Sequence, residues 1–176
     1  MEKEIKEIYN RNLQVKLKLE QSKSFSQALS VEKQLTVYLI TTIGCYFENC
    51  FSDILMEYSK ENSSDILNNV ICKEFIYKKY HSFFVWDSQK PKGINTLLGK
   101  FGEDFSNQFK ELINKDAKLK QSILTFLDLG NLRNLVSHVY LYEVEKTSNE
   151  VFKAFQDSTY FINEFKKQLN KHKICI

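Results

Sequence analysis

The segment Leu35-Thr-Val-Tyr-Leu-Ile-Thr-Thr-Ile-Gly-Cys-Tyr-Phe47 is the richest apolar stretch of the chain. It contains three threonines and is too short to cross a bilayer, which takes about 20 consecutive apolar residues. Apolar side chains lie nearly all round a helix here and continue at helical spacing to Leu55. We therefore interpret the segment as part of the central helix of a bundle, which begins at a capping Ser30 and ends near Lys60.

Helices are predicted over most of the remaining chain, and no strand pattern persists. They cover residues 2–21, 65–80, 104–113, 119 to beyond 130, and 150–171, with a short helix beginning at 94. Polar breaks at 22–30 and 147–149 and a loop at 87–93 separate them. Five Gly and one Pro in 176 residues argue against a turn-rich β architecture. The prediction is an all-α, up-and-down helical bundle in a single domain, 1–176, with a core of about 30–170.

Composition says less about function than about fold. The net charge is +3, which does not by itself indicate nucleic-acid binding, and only Arg11 and Arg133 among the 25 Lys and Arg residues are arginines. Four cysteines are too few for a disulfide framework at this length, and the charged N-terminus does not resemble a signal peptide. We therefore expect a reduced, cytoplasmic protein without a membrane segment.

The segment Leu129-Gly-Asn-Leu-Arg-Asn-Leu-Val-Ser-His-Val-Tyr140 carries the most informative polar residues. At about 100° per residue, its leucines and valines form one stripe of a helix, and the opposite face holds Arg133, Asn134, Ser137 and His138. Arg133 and His138 lie about 140° apart and about 7.5 Å along the axis. To converge they need a local kink, the reach of the arginine, or a second copy of the helix. An exposed polar face that combines these residues by chance is the alternative.

The spacing Arg133-Asn134-x-x-x-His138 resembles the signature of the HEPN superfamily, an arginine followed a few residues later by a histidine, with a polar residue next to the arginine. The surrounding arrangement is most similar to the RiboL-PSP-like branch. The similarity comprises a long early helix with an internal acid, Glu48, a middle segment at 94–102, the motif helix and a closing amphipathic helix. It spans about residues 30–170.

This resemblance implies a homodimeric helical bundle that acts as a metal-independent endoribonuclease, often a toxin or antiphage effector. RNA is the implied substrate, a cognate antitoxin protein is an implied partner, and no cofactor or metal is implied. His138 would transfer protons near neutral pH, and Arg133 would bind phosphate oxygens with a permanent cation. Asn134 would contact the phosphate or fix a rotamer, with Ser137 as a weaker equivalent. Two facing motif helices would supply two such sets to one cleft.

Two further residues are auxiliary candidates. Glu48 lies in an otherwise apolar helix, where it could orient Arg133 or His138, pair with a lysine, or lie on an exposed strip. Tyr140 completes the pattern Arg-x4-His-x-Tyr, which is similar to that of HEPN toxins paired with a minimal nucleotidyltransferase, where the tyrosine is modified. A half-buried bundle tyrosine is the plainer interpretation of Tyr140.

Other functional interpretations stay open. The chain could be a catalytically silent HEPN-like module that binds RNA or a protein, or a helical scaffold whose polar face is incidental. The spacing of the cysteines and histidines does not favour a zinc site. The aromatic group around His81, with Tyr80, Phe83, Phe84 and Trp86, is predicted to be core or dimer interface and not a base-stacking surface.

Overall fold

The computed structural model describes residues 2–76, 83–86, 91–138 and 144–172. Its α-helices are, in chain order, α1 (Glu2–Gln21), α2 (Phe25–Asn62), α3 (Asp65–Ile71), α4 (Asn95–Gly99), α5 (Glu103–Lys115), α6 (Ala117–His138) and α7 (Ser148–Lys171). A π-helical turn lies at Cys72–Ile76 and a 3-10 helix at Pro91–Ile94. No strand occurs within these ranges, and the predicted all-α fold is confirmed.

The break between α1 and α2 is shorter than predicted. Because α2 begins at Phe25, the prediction that Ser30 caps it is wrong. Lys23 has a φ of 59°, the left-handed conformation that commonly ends a helix. The N–H of Ser24 donates to the carbonyl of Leu19 at 2.8 Å, as in a Schellman motif, so α1 is closed and α2 starts at once.

The N-terminus of α7 also lies earlier than predicted, at Ser148 and not near Glu150. The N–H of Thr147 donates to Glu150 Oε2 at 2.8 Å, and the N–H of Glu150 donates to Thr147 Oγ1 at 3.2 Å. These reciprocal bonds form a capping box. The hydrogen bond from the Thr147 backbone holds the pKa of Glu150 below its usual range.

Helix α3 begins as predicted, because the Ser64 hydroxyl accepts a hydrogen bond from the N–H of Leu67 and caps it. The helix predicted over 65–80 leaves α geometry at Cys72, and residues 77–80 lie outside the described part of the chain. Of the predicted loop at 87–93, residues 87–90 also lie outside it. Residues 91–93 of that predicted loop are helical instead, because Pro91 begins the 3-10 helix that leads directly into α4.

The long helix α2 is buried on one side only. Leu35, Leu39 and Ile43 are buried, whereas Tyr38 is 49% exposed and Cys45 is exposed. The interpretation of this segment as a buried central helix is therefore wrong for the side that carries Tyr38 and Cys45. No helix among the described residues has both the length and the apolar content needed to cross a membrane.

The helices are grouped into two compact units. The first unit comprises Met1–Tyr46 and Leu129–Gln156, and the second comprises Phe47–Asp128 and Asp157–Ile176. The first contains α1 and the C-terminal end of α6, which carries the Arg133 motif. The single domain over 1–176 stays a prediction.

In the first unit, α1 packs against α7 through aromatic and polar contacts. The Tyr9 ring stacks on Phe152 with centroids 4.1 Å apart, and its hydroxyl donates to Asn149 Oδ1 at 3.0 Å. Glu32 of α2 accepts from the N–H of Ser148 at 2.6 Å and pairs with Lys16 of α1 at 3.0 Å. One carboxylate therefore links three helices of this unit.

The pKa of Glu32 reflects this position. Burial pushes the pKa of its carboxyl upward, but the hydrogen bonds from Ser148 and the Lys16 ammonium outweigh burial and hold the pKa below its usual range. Such a group stabilises the fold fully above its unfolded pKa, which is about 4.3 for glutamate, and loses this effect as pH falls through the lower folded value.

We expect Glu32→Gln to lower the free energy of unfolding near neutral pH by about 1.5–3 kcal/mol, the usual range for hydrogen bonds to a charged group. The difference from wild type should shrink as pH falls below about 4, because protonation removes the same charge in the wild type. Chemical denaturation across pH measures it. As a control, Glu111→Gln removes an exposed pair with Lys115 and should cost less than about 0.5 kcal/mol. A difference for Glu32 that does not vary with pH would contradict the account.

The second unit has an aromatic core centred on Phe51. This side chain is fully buried, and its ring centroid lies between 5.2 and 5.6 Å from the rings of Phe84, Phe126, Phe161 and Phe165. Of the aromatic group that was predicted to be core or dimer interface, Phe83 and Phe84 are buried. Tyr80 and His81 of the same predicted group lie outside the described residues.

Candidate functional site

The predicted polar motif lies at the C-terminal end of α6. This helix is uninterrupted from Ala117 to His138, so Arg133, Asn134 and Ser137 lie on one helix and His138 is its last residue. Helical geometry keeps Arg133 and His138 about 140° apart around the axis. The helix therefore brings both residues to the same end of α6.

Arg133 and Asn134 form the polar contact at this end. Both side chains are half-buried, and Arg133 Nη1 donates to Asn134 Oδ1 at 3.3 Å. The bond directs part of the guanidinium toward the neighbouring amide and restricts its rotamers. An arginine held in this way keeps its permanent charge and can donate further hydrogen bonds to an anion.

The aliphatic stem of Arg133 packs on Gly44 of α2, in the same unit. A Cβ built on Gly44 would lie 2.6 Å from Arg133 Cγ and 3.3 Å from its Cβ. Sequence reasoning did not single out Gly44. The available signal was an isolated glycine inside a long helix, a position that often has a packing reason.

The apolar stripe predicted for the motif helix is only partly buried. Leu129 is 2% exposed, but Leu132, Leu135 and Val136 are half-buried, and Val139 lies outside the described residues. The end of α6 thus leaves part of these apolar side chains accessible to solvent.

The structure describes the side chains of two of the four remaining predicted site residues. Ser137 is exposed on α6, and Glu48 is half-buried on α2 within the second unit. The roles assigned to both stay predictions. The side chain of His138 and all of Tyr140 lie outside the part of the chain that the structure describes. Among the described residues, no group of three or more His, Cys, Asp or Glu side chains is placed to hold a metal ion.

Comparison with known proteins identifies one family. The model of the RiboL-PSP-HEPN family matches residues 2–171, which include all the helices described above. The match begins well before residue 30, where the sequence resemblance was expected to start. No curated protein and no solved structure matches the chain significantly.

Proposed function

Since the chain belongs to the RiboL-PSP-HEPN family, we propose that it is a cytoplasmic, metal-independent endoribonuclease with Arg133, Asn134 and His138 as its catalytic residues. HEPN domains are often ribonucleases or RNA-binding modules. The observation that carries the proposal is the half-buried Arg133 guanidinium, hydrogen-bonded to Asn134 on the helix that ends at His138.

The proposed reaction is internal transesterification of RNA. The ribose 2′-oxygen attacks the adjacent phosphorus as its proton passes to a base, and the bond from phosphorus to the 5′-oxygen breaks as that oxygen receives a proton. The products are a 2′,3′-cyclic phosphate and a 5′-hydroxyl. A histidine can transfer either proton, because an unperturbed imidazole titrates near pH 6.5.

Arg133 supplies the charge that this reaction needs. Negative charge develops on the non-bridging phosphate oxygens in the transition state, and a guanidinium donates to two such oxygens with its planar fork. Asn134 holds the guanidinium through its Oδ1 atom and so leaves its Nδ2 amide facing away from that bond. We assign Asn134 a supporting contact to the phosphate and Ser137 a weaker one.

We also propose that the active form is a homodimer. A second motif helix across a two-fold axis would place two arginines and two histidines around one cleft, which removes the need for Arg133 and His138 to converge within a chain. The incomplete burial of Leu132, Leu135 and Val136 supports this, because a partner helix would cover what remains accessible of them.

Light scattering should therefore give a mass of about twice the 20.8 kDa of one chain at micromolar concentration. Leu132→Glu should shift the protein toward monomer, because it places a charge in the proposed interface. The matched control is Val85→Glu, at a position that is 58% exposed in the second unit, and it should leave the dimer intact. A strict monomer in the wild type would contradict a composite site.

The cellular role that we propose follows the family resemblance. The chain would act as a toxin or antiphage effector that cleaves cellular or invading RNA, with a cognate antitoxin protein as its partner. Tyr140 would be the modification target if the antitoxin is a nucleotidyltransferase.

The test of the proposed activity is incubation of purified protein with single-stranded RNA in excess EDTA. Cleavage should persist, because a histidine and an arginine supply proton transfer and charge stabilisation without a metal ion. Activity that disappears in EDTA and returns with a divalent ion would contradict the mechanism. RNA binding without any cleavage would favour the catalytically silent binding module.

A further inference from the structure

The backbone conformation of α2 at Gly44 does not require a glycine. The helix continues on both sides of it, from Phe25 to Asn62, and its φ is not in the left-handed region. Alanine fits such a backbone and is among the best helix formers, whereas glycine is among the worst. The missing side chain therefore points to a tertiary contact at this position.

That contact is the stem of Arg133. The three atoms nearest to a Cβ built on Gly44 are Arg133 Cγ at 2.6 Å, Cβ at 3.3 Å and Cδ at 3.5 Å. Cγ and Cδ lie in the middle of the side chain and cannot move away without changing where the guanidinium points. An alanine methyl would thus displace the arginine and not merely a flexible tip.

We propose that Gly44 is a positioning residue for Arg133. Its missing side chain leaves a notch in α2 that receives the arginine stem, while the hydrogen bond to Asn134 fixes the guanidinium at the other end of the side chain. The two contacts together hold the cation where the proposed reaction requires a phosphate-binding group. The inference rests on the proposed function for its catalytic consequence, but the packing contact itself does not.

The chain offers a matched control for this proposal. Gly99 ends α4 in the second unit, and a Cβ built on it meets nothing within 4 Å. Gly99→Ala therefore makes the same chemical change without a neighbour to displace.

The activity arm compares Gly44→Ala with Gly99→Ala in RNA cleavage. Misplacing a group by about 1 Å can cost roughly 10²-fold in rate, so we expect kcat of Gly44→Ala to fall by about 10–10²-fold. KM should change less, because many phosphates of the RNA contribute to binding. Gly99→Ala should cleave as the wild type does. Equal activity of the two variants would overturn the catalytic part of the proposal.

The stability arm uses thermal unfolding and needs no activity. Gly44→Ala should raise Tm by about 2–4 °C in an Arg133→Ala background, because the gain in helix propensity is realised once Cγ and Cδ are gone. In the wild type and in an Arg133→Lys background, which keep the stem, this gain should be absent. A Gly44→Ala protein that fails to fold alone but folds with Arg133→Ala would also support the proposal.

The two arms separate this inference from the proposed function. A wild type that never cleaves RNA would contradict the ribonuclease, yet the dependence of the Tm effect on the Arg133 stem would still support Gly44 as the residue that positions it. The same rise in Tm in all three backgrounds would overturn the inference, whatever the activity.

Discussion

His138→Ala is expected to lower the rate of RNA cleavage by about 10²–10⁴-fold while RNA affinity changes little. The substitution removes the proposed proton-transfer group but leaves Arg133, which supplies the phosphate-binding cation. Single-turnover cleavage and filter binding on the same RNA measure the two quantities. If expression of the wild type is toxic, this variant should relieve the toxicity.

Two comparisons make the His138 result specific. His172→Ala, at a histidine that packs on Phe105 in the second unit, should leave cleavage unchanged. Arg133→Lys keeps the charge and loses the planar fork, so cleavage should also fall if the transition state uses two donors. Undiminished cleavage by His138→Ala would show that the motif histidine is not catalytic.

Phe51→Ala is expected to lower the free energy of unfolding by about 3–5 kcal/mol, because it removes a large, fully buried ring and leaves a cavity. The corresponding fall in Tm is about 6–20 °C for a chain of this size. The ring contacts four other phenylalanines, so the aromatic core of the second unit should loosen. Thermal unfolding followed by circular dichroism measures the effect.

Phe25→Ala is the matched control for Phe51, because the Phe25 side chain is 65% exposed at the start of α2. It should change the free energy of unfolding by less than about 0.5 kcal/mol. Similar losses in the two variants would contradict the described core, since burial is the main difference between the positions.

Sequence patterns predicted the helices well where local chemistry decides them. The start of the helix at Asp65, which Ser64 caps, was predicted correctly, and Thr147-x-x-Glu150 carried a capping-box signal that was not used. The start of α2 was missed because Lys23 adopts a left-handed conformation, which is expected of glycine or asparagine and not of lysine. The exposure of Tyr38 was not predicted, because periodicity describes one helix and not the number of neighbours that cover it.

At the candidate site, too, sequence patterns predicted what local chemistry decides but not what tertiary packing decides. The proximity of Arg133 and Asn134 follows from their adjacency on a helix, and the polar face was predicted from spacing alone. The packing of Arg133 on Gly44 could not be predicted, because it depends on the close approach of two helices far apart in sequence.

The most direct test of the central claim is the chemistry at the ends of the RNA products. An RNA of defined sequence is cleaved in EDTA, and its new termini are analysed by mass spectrometry and by labelling with polynucleotide kinase. The account predicts a 2′,3′-cyclic phosphate on one fragment and a 5′-hydroxyl on the other, because the attacking group is the RNA's own 2′-oxygen. A 5′-phosphate and a 3′-hydroxyl would show that water is the nucleophile and would contradict the mechanism.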